Sequence, residues 1–174
     1  HQQHVPSSRE KRSSQEDRRL QQDGIANPSE TAESFKYPTL DSTTIISATV
    51  AWKNNREEAE ALYGPISLWD TSDVENMSFL FTGIADFNEE LALWNTSKVT
   101  NMMALFAGCE TFDQDLSRWD TRRVESVSFM FQGATSYNKS LATWDTSSIR
   151  DFDGMFRGAT SYNQQLSGWS FASA

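Results

Sequence analysis

The chain has little of what most catalytic and metal sites require. Its 174 residues include one cysteine, Cys109, and two histidines, His1 and His4. A single cysteine cannot form an intramolecular disulfide, and no Cys/His cluster indicates a zinc site. Both histidines lie in a polar N-terminal segment, so a histidine-dependent nucleophile or general base is not expected. Phosphate-binding glycine motifs are also absent. We therefore expect no enzyme activity and no cofactor.

Positive charge is scarce as well. The chain has 15 Lys and Arg against 24 Asp and Glu, a formal charge of −9. Nucleic acids and anionic membranes attract clustered Lys and Arg, so neither is an expected partner. No apolar run reaches the length of about 18 residues that a membrane-spanning helix needs. Residues 1–40 hold six charges of each sign, so the excess of negative charge falls in residues 41–174.

Residues 1–38 are rich in Gln, Ser, Arg and Glu and have few large apolar side chains. Such a segment buries too little apolar surface to fold alone and is predicted to be disordered. We interpret its basic pairs, Lys11-Arg12 and Arg18-Arg19, as parts of a solvated linker; processing sites or an anchor for an acidic partner are the alternatives. Because the chain does not begin with Met, we expect that a preceding segment, such as a signal peptide, was removed or is not included in this sequence.

Residues 39–65 are predicted to form a helical cap. Asp41 is a plausible N-cap, and Ile45, Ala48 and Trp52 follow at spacings of three and four, which places them on one face of a helix. The helical pattern then extends or restarts before it ends at a Gly-Pro pair, a common helix stop.

From residue 66 the sequence repeats every 25 residues without insertion. A fixed period of this length is typical of stacked repeat architectures, so residues 66–174 are predicted to form a solenoid of four full repeats and a partial fifth. The full repeats, called copies 1 to 4, are residues 66–90, 91–115, 116–140 and 141–165. The aromatic columns assigned to the repeat core are Trp69, Trp94, Trp119, Trp144 and Trp169, with Phe81, Phe106, Phe131 and Phe156.

Each repeat is predicted to contain one short helix and one short strand. In copy 2, Val99, Met102 and Leu105 recur every three residues, which favours a helix, and Gly108 is placed to end it in a left-handed conformation. Residues 114–118 are interpreted as a strand that pairs with its equivalents in neighbouring copies.

Two polar columns accompany these elements. The residues after each Trp, such as Thr96 or Ser97, are placed to cap the predicted helix. A second column is expected to form hydrogen bonds from copy to copy through its side chains. Its members are Asn88, Asp113, Asn138 and Asn163.

The repeat W-D-T-S-x-V-x-x-M-x-x-x-F-x-G-A-x-x-F/Y-N-x-x-L-x-x-W, as in residues 94–119, resembles the BspA-like surface-protein repeat. That family is a variant leucine-rich repeat of bacterial surface proteins, mycoplasma lipoproteins and secreted protist proteins. The resemblance implies a right-handed, leucine-rich-repeat-like α/β solenoid, placement outside the cell or at its surface, and adhesion or protein binding. It carries no catalytic residues. After Trp169 the pattern is lost, which indicates either a degenerate cap or a repeat cut short.

Several residues have both a functional and a structural interpretation. The Trp column is either a row of platforms for sugars or peptides or part of the core, and we favour the core, with one hydrogen-bond acceptor for each indole. Cys109 occupies a column of small apolar residues, which favours a buried, inert thiol over a nucleophile. The methionine column is interpreted as core packing rather than a soft-metal site. Its members are Met77, Met102, Met130 and Met155.

The predicted strand also contains polar positions that differ from copy to copy while their neighbours repeat. We select these positions as the candidate binding face. They are Glu89, Glu90, Gln114, Asp115, Lys139, Ser140, Gln164 and Gln165. Three asparagines, at Asn76, Asn95 and Asn138, match the short acceptor pattern for N-glycosylation.

These observations predict a non-enzymatic, secreted or cell-surface repeat protein that binds another protein or a matrix or cell-wall component through its solenoid face. One alternative is a structural spacer of a cell envelope that associates end to end. A remote alternative is a ladder that binds cations or a surface.

Overall fold

Regular secondary structure is concentrated in the N-terminal part of the described chain. The computed structural model describes residues 37–170, so the predicted disorder of residues 1–36 lies outside the described residues. In order, the elements are β1 (Thr39–Asp41), α1 (Thr44–Asn54), α2 (Arg56–Tyr63), a 3-10 helix (Ile66–Leu68) and β2 (Asp70–Asp73). β1 and β2 pair in parallel, with a register shift between Thr39 and Asp41.

The two helices form where the sequence predicts them. The N-cap position of α1 is Thr43, whose side chain forms no cap hydrogen bond, and not the predicted Asp41. The Asp41 carboxylate still accepts the backbone N–H groups of Thr43 and Thr44, at 2.9 and 2.8 Å, in the turn that leads into the helix. The predicted apolar face is buried, with Ile45 and Ala48 at 0% exposure and Trp52 at 3%. The chain then restarts as α2 after Asn55, whose side chain accepts the N–H of Glu58.

This N-terminal part packs directly on copy 1. The Trp52 ring meets the Phe87 ring edge to face, with centroids 5.4 Å apart. The Ser42 hydroxyl accepts hydrogen bonds from the N–H groups of Glu75 and Asn76, at 3.0 and 3.1 Å. β1 has no recognisable signal in the sequence, because three residues are too few to show the alternation of a strand.

The predicted helix in each repeat is absent. Within the described residues no helix occurs beyond Leu68, and residues 103–108 of copy 2 form consecutive turns. The predicted apolar face is nevertheless buried, with Val99, Met102 and Leu105 all at 0% exposure. Hydrogen bonds over three residues, such as Leu105 N–H to the Met102 carbonyl at 3.2 Å, repeat along the copy. These turns give the same spacing of three that indicated a helix.

Backbone hydrogen bonds between copies replace the helical ones. Alternate residues of copies 1 to 3 donate their N–H groups to carbonyls 24 residues further along the chain, at 2.6–3.1 Å. We call this set the ladder. In copy 1 its donors are Met77, Phe79, Phe81 and Gly83, and its acceptors are Asn101, Met103, Leu105 and Ala107. A helix would direct these N–H groups along its own axis, so the ladder and the predicted helix exclude each other.

A left-handed residue in every copy enforces this geometry. Phe79, Ala104, Phe129 and Gly154 occupy one column and have φ angles of 64, 51, 56 and 57°. Residues with side chains avoid this conformation, which costs roughly 1–2 kcal/mol, so the surrounding ladder must hold it. A second left-handed position, at Gly83, Gly108, Gly133 and Gly158, ends each run of turns as predicted for Gly108.

The predicted strand at residues 114–118 is also absent. Parallel bridges instead join Asn76, Asn101, Ser126 and Asp151 in sequence. Within residues 114–118 the Leu116 carbonyl accepts the indole N–H of Trp144 at 3.0 Å instead of a backbone N–H of a neighbouring copy. A backbone ladder therefore runs through the turns and not through the segment selected as a strand.

Aromatic rings fill the interior in continuous columns. Phe81, Phe106, Phe131 and Phe156 stack with successive centroids 5.7–5.8 Å apart. A parallel column of Phe87, Phe112, Tyr137 and Tyr162 has spacings of 5.7–5.9 Å. Within each copy the two rings stack at 3.9–4.0 Å. The described residues thus form a mixed fold with little regular secondary structure around a large aromatic core.

Replacement of Gly154 by alanine tests the left-handed column. A Cβ at this position would lie 2.5 Å from the Phe129 ring, and φ is +57°. We expect Gly154→Ala to lower the free energy of unfolding by about 1–2 kcal/mol in urea denaturation. Gly168→Ala is the matched control, because its added Cβ meets only the Ala142 carbonyl at 3.8 Å. Equal changes in both variants would contradict the assignment.

Candidate functional site

The Trp column belongs to the core. Each repeat Trp is only 3–8% exposed, so none offers an open ring face to a sugar or peptide. Each indole N–H donates to a backbone carbonyl at 2.8–3.0 Å, which supplies the acceptor expected for a buried indole. From Trp94 onward that carbonyl lies 28 residues earlier in the chain. The column therefore joins adjacent copies instead of forming a ligand platform.

The Thr column has a different role from the predicted one. Thr71, Thr96, Thr121 and Thr146 are 1–2% exposed. Each hydroxyl donates to a carbonyl of the next copy at 2.9–3.1 Å, and none caps a helix. The residue before each Thr accepts the N–H two positions along, as Asn95 does from Ser97 at 3.1 Å. The Thr column thus joins adjacent copies, whereas the column before it fixes a local turn within each copy.

The methionines and Cys109 are also interior. The four column methionines are 0–4% exposed. The Cys109 thiol is fully buried and donates to the Phe81 carbonyl at 3.1 Å. Burial raises the pKa of this thiol to about 12, so it is protonated at neutral pH. Among residues 37–170 no group of three His, Cys, Asp or Glu side chains is arranged to hold a metal ion.

The polar column at the surface forms hydrogen bonds from copy to copy as predicted, but its donors are backbone N–H groups. We call this column the surface ladder. The side-chain oxygens of Asn88, Asp113 and Asn138 each accept the backbone N–H of the same column one copy later, at 2.9–3.0 Å. The acceptors are side chains but the donors are backbone groups, so an aspartate fits as well as an asparagine. This arrangement explains why a single charged residue is tolerated in the column.

The candidate face lies beside the surface ladder and has two kinds of position. The inner positions are half-buried and contact the preceding structure. Glu89 pairs with Arg56 at 3.1 Å, and Lys139 pairs with Asp113 at 2.9 Å. Gln114 and Gln164 donate to the side chains of Asn88 and Asn138, at 2.9 and 3.0 Å. These four residues are largely committed to contacts within the chain.

The outer positions of the candidate face, Glu90, Asp115, Ser140 and Gln165, are exposed. Asp115 accepts the N–H of Ser117 at 2.9 Å, and this backbone hydrogen bond lowers the pKa of its carboxyl group. The structure therefore brings together one row of exposed side chains, one from each copy, with negative charge at its first two members.

The three glycosylation candidates differ in their surroundings. Asn76 and Asn95 are exposed, and each accepts a hydrogen bond from the N–H two residues later. Asn138 accepts from both Asn163 and Gln164, so it is part of the surface ladder.

A cleft that the sequence analysis missed lies between α1 and the turn at residues 82–86. Trp52, Lys53 and Arg56 line one side, and its volume is about 490 Å³. The Arg56 guanidinium lies 4.2 Å from the centre of the Trp52 ring. Lys53 and Arg56 are ordinary helix-end cations in the sequence, so only their position against copy 1 reveals the cleft.

Two buried hydroxyls also have no sequence signal. The hydroxyls of Tyr137 and Tyr162 have no hydrogen-bond partner within the described part of the chain. Burial raises the pKa of Tyr162 to about 12 and that of Tyr137 further. Copies 1 and 2 have Phe at this column, so the ring and not the hydroxyl is the common requirement.

Within the described residues, the copies form a stack without helices, and polar columns lie on its surface. None of the helices that precede the copies is long and apolar enough to cross a membrane. Residues 50–169 match the family described as Mycoplasma protein of unknown function, DUF285. This match covers more than half of the chain, and the protein belongs to that family. Searches of curated proteins and of solved structures found no match.

The Thr and Tyr columns give opposite predictions for stability. Thr121→Val keeps the side-chain shape but leaves the Asp145 carbonyl without its donor, so we expect the free energy of unfolding to fall by about 1–3 kcal/mol.

Tyr137→Phe removes an unpartnered buried hydroxyl and is expected to raise the free energy of unfolding by about 1 kcal/mol. Urea denaturation of both variants measures these changes. Destabilisation by Tyr137→Phe would show that its hydroxyl has a partner.

Cys109 predicts a pH dependence of stability. The pKa of Cys109 is higher in the folded than in the unfolded state. Its contribution to the free energy of unfolding is therefore fully present below the ordinary thiol pKa and is lost as pH rises toward about 12. Above about pH 9 this one group lowers the free energy of unfolding by about 1.4 kcal/mol per pH unit. Cys109→Ala, which places the residue of copies 3 and 4 in copy 2, is expected to show a shallower loss. Identical pH profiles from pH 8 to 11 would contradict this.

Proposed function

We propose that the protein is a BspA-like repeat solenoid, located outside the cell or at its surface, that binds a protein or a matrix or cell-wall component without catalysis. Hydrogen bonds and ring stacks at a constant interval of one repeat support the solenoid. The sequence pattern supports the family type. The handedness and the cellular location rest on the resemblance alone.

The outer row of the candidate face carries the binding proposal. Its members follow one another at intervals of one repeat on a backbone fixed by the ladder, yet their chemistry differs: Glu90, Asp115, Ser140 and Gln165. The Trp column, by contrast, is packed in the core and is identical in every copy. A rigid row of exposed, varied side chains is suited to recognise an extended partner, because little conformational entropy is lost on binding.

Charge reversal on this row tests the proposal. We expect Glu90→Lys/Asp115→Lys to weaken binding to its ligand on an array of matrix proteins and cell-wall glycans by about tenfold, equivalent to about 1.4 kcal/mol. Glu60→Lys/Glu110→Lys changes the net charge equally at exposed positions outside the row and serves as the control. Absence of any ligand, or equal binding by both double variants, would overturn the proposal.

An end-to-end structural role is the second candidate. The N–H groups of Gly154, Phe156 and Gly158 have no acceptor among residues 37–170, whereas their equivalents in copy 3 donate to copy 4. Unpaired backbone donors at an edge favour association. Light scattering distinguishes the two roles: growth in mass with concentration supports this one, and a strict monomer contradicts it.

A further inference from the structure

The cleft beside α1 exposes the first rung of a hydrogen-bond pattern that every later copy completes. Between copies 1 and 2, the Gly83 N–H donates to the Ala107 carbonyl at 2.7 Å. Two residues later, the Ala85 carbonyl accepts the Thr111 N–H at 3.0 Å. The same pair of bonds recurs between copies 2 and 3 and between copies 3 and 4, at 2.6–3.2 Å. A three-residue segment of each copy is therefore held by one carbonyl and one N–H of the next.

In copy 1 the two equivalent groups are the Thr82 carbonyl and the Asp86 N–H. Neither has a hydrogen-bond partner within the described part of the chain. By the repeat register both are directed away from copy 2, toward the side on which α1 lies. Thr82 and Asp86 line the cleft of about 490 Å³ that α1 leaves open.

Glycine keeps this position open. An added Cβ at Gly108 or Gly158 would meet the glycine of the preceding copy at 3.4–3.6 Å. At Gly83 an added Cβ would meet no atom of residues 37–170 within 4 Å. No described residue therefore occupies, beside Gly83, the place that a preceding copy would take.

The opposite wall of the cleft is basic, in a chain of net charge −9. Arg56 is already paired with Glu89. Lys53 has no carboxylate within ion-pair distance among residues 37–170. Burial against the cleft lowers the pKa of its amino group, which a bound anion would offset. The cleft therefore combines backbone hydrogen-bonding groups with an uncompensated cation.

We propose that this cleft binds an extended acidic peptide segment. The segment's N–H donates to the Thr82 carbonyl, its carbonyl accepts the Asp86 N–H two residues later, and a carboxylate pairs with Lys53. This is backbone augmentation of an exposed edge, in which main-chain bonds give affinity and the side-chain charge gives preference. The cleft is distinct from the outer row of the candidate face and adjoins only the inner residue Glu89, through its ion pair with Arg56. Peptide binding here therefore goes beyond the proposed function.

A peptide that copies residues 83–88 tests the site, because copy 1 presents that segment to copy 2 in the same geometry. The probe is acetylated, amidated and fluorescein-labelled, and anisotropy measures its binding to the full chain. We expect saturable binding that Lys53→Glu weakens by about tenfold or more. Lys53→Arg should retain binding, which separates loss of charge from loss of fold. Arg118→Glu, an equal charge change outside the cleft, should leave affinity unchanged.

Two peptide variants test the remaining contacts. Methylation of the first amide nitrogen removes the donor to Thr82 and should weaken binding by about fivefold to tenfold. Asn in place of the peptide's Asp should weaken it as well. Absence of saturable binding, equal affinity for Lys53→Glu, or displacement by inorganic phosphate at peptide concentrations would overturn the proposal. The Glu90→Lys/Asp115→Lys variant should bind the probe normally, so failure here and failure of the candidate face are distinguishable.

Discussion

The ladder of backbone hydrogen bonds between copies is the constraint on which the rest of the described structure depends. It holds alternate N–H groups at 2.6–3.1 Å from carbonyls of the next copy, and it can form only if one residue per copy is left-handed. This explains why phenylalanine and alanine occupy a conformation that glycine tolerates better. It also fixes the interval at which rings, threonines and tryptophans meet their equivalents.

Side chains satisfy what the ladder leaves open. The Thr hydroxyls reach carbonyls that accept no backbone N–H, and from Trp94 onward each indole N–H shares its carbonyl with the backbone N–H of the preceding Trp. Few buried polar groups of residues 37–170 therefore lack a partner. The aromatic columns supply the apolar burial that turns without helices or sheets would otherwise lack. Because the ladder, the indole and Thr hydrogen bonds and the ring columns link neighbouring copies, stability depends on the stack and not on any copy alone.

The same constraint separates core from candidate sites. Positions inside the stack repeat because each must fit its own equivalent, whereas the outer row of Glu90 and Asp115 is free to vary. At the first copy no preceding repeat exists, and α1 covers only part of the exposed edge. Lys53 and the open groups of Thr82 and Asp86 lie together for that reason. A repeat pattern alone contains no sign of such a cleft.

The sequence by itself determined the 25-residue period, the buried columns and the helices around Ile45 and Trp52, because burial leaves a direct trace in the spacing of apolar residues. It misled on the conformation of Val99, Met102 and Leu105, since turns and helices share a spacing of three. Only the tertiary structure decided where the N–H groups go, which carbonyls the Trp and Thr columns reach, and that Lys53 faces an open edge. Hydrogen bonds between residues 24 to 28 positions apart depend on the stacking of copies, which local sequence does not encode.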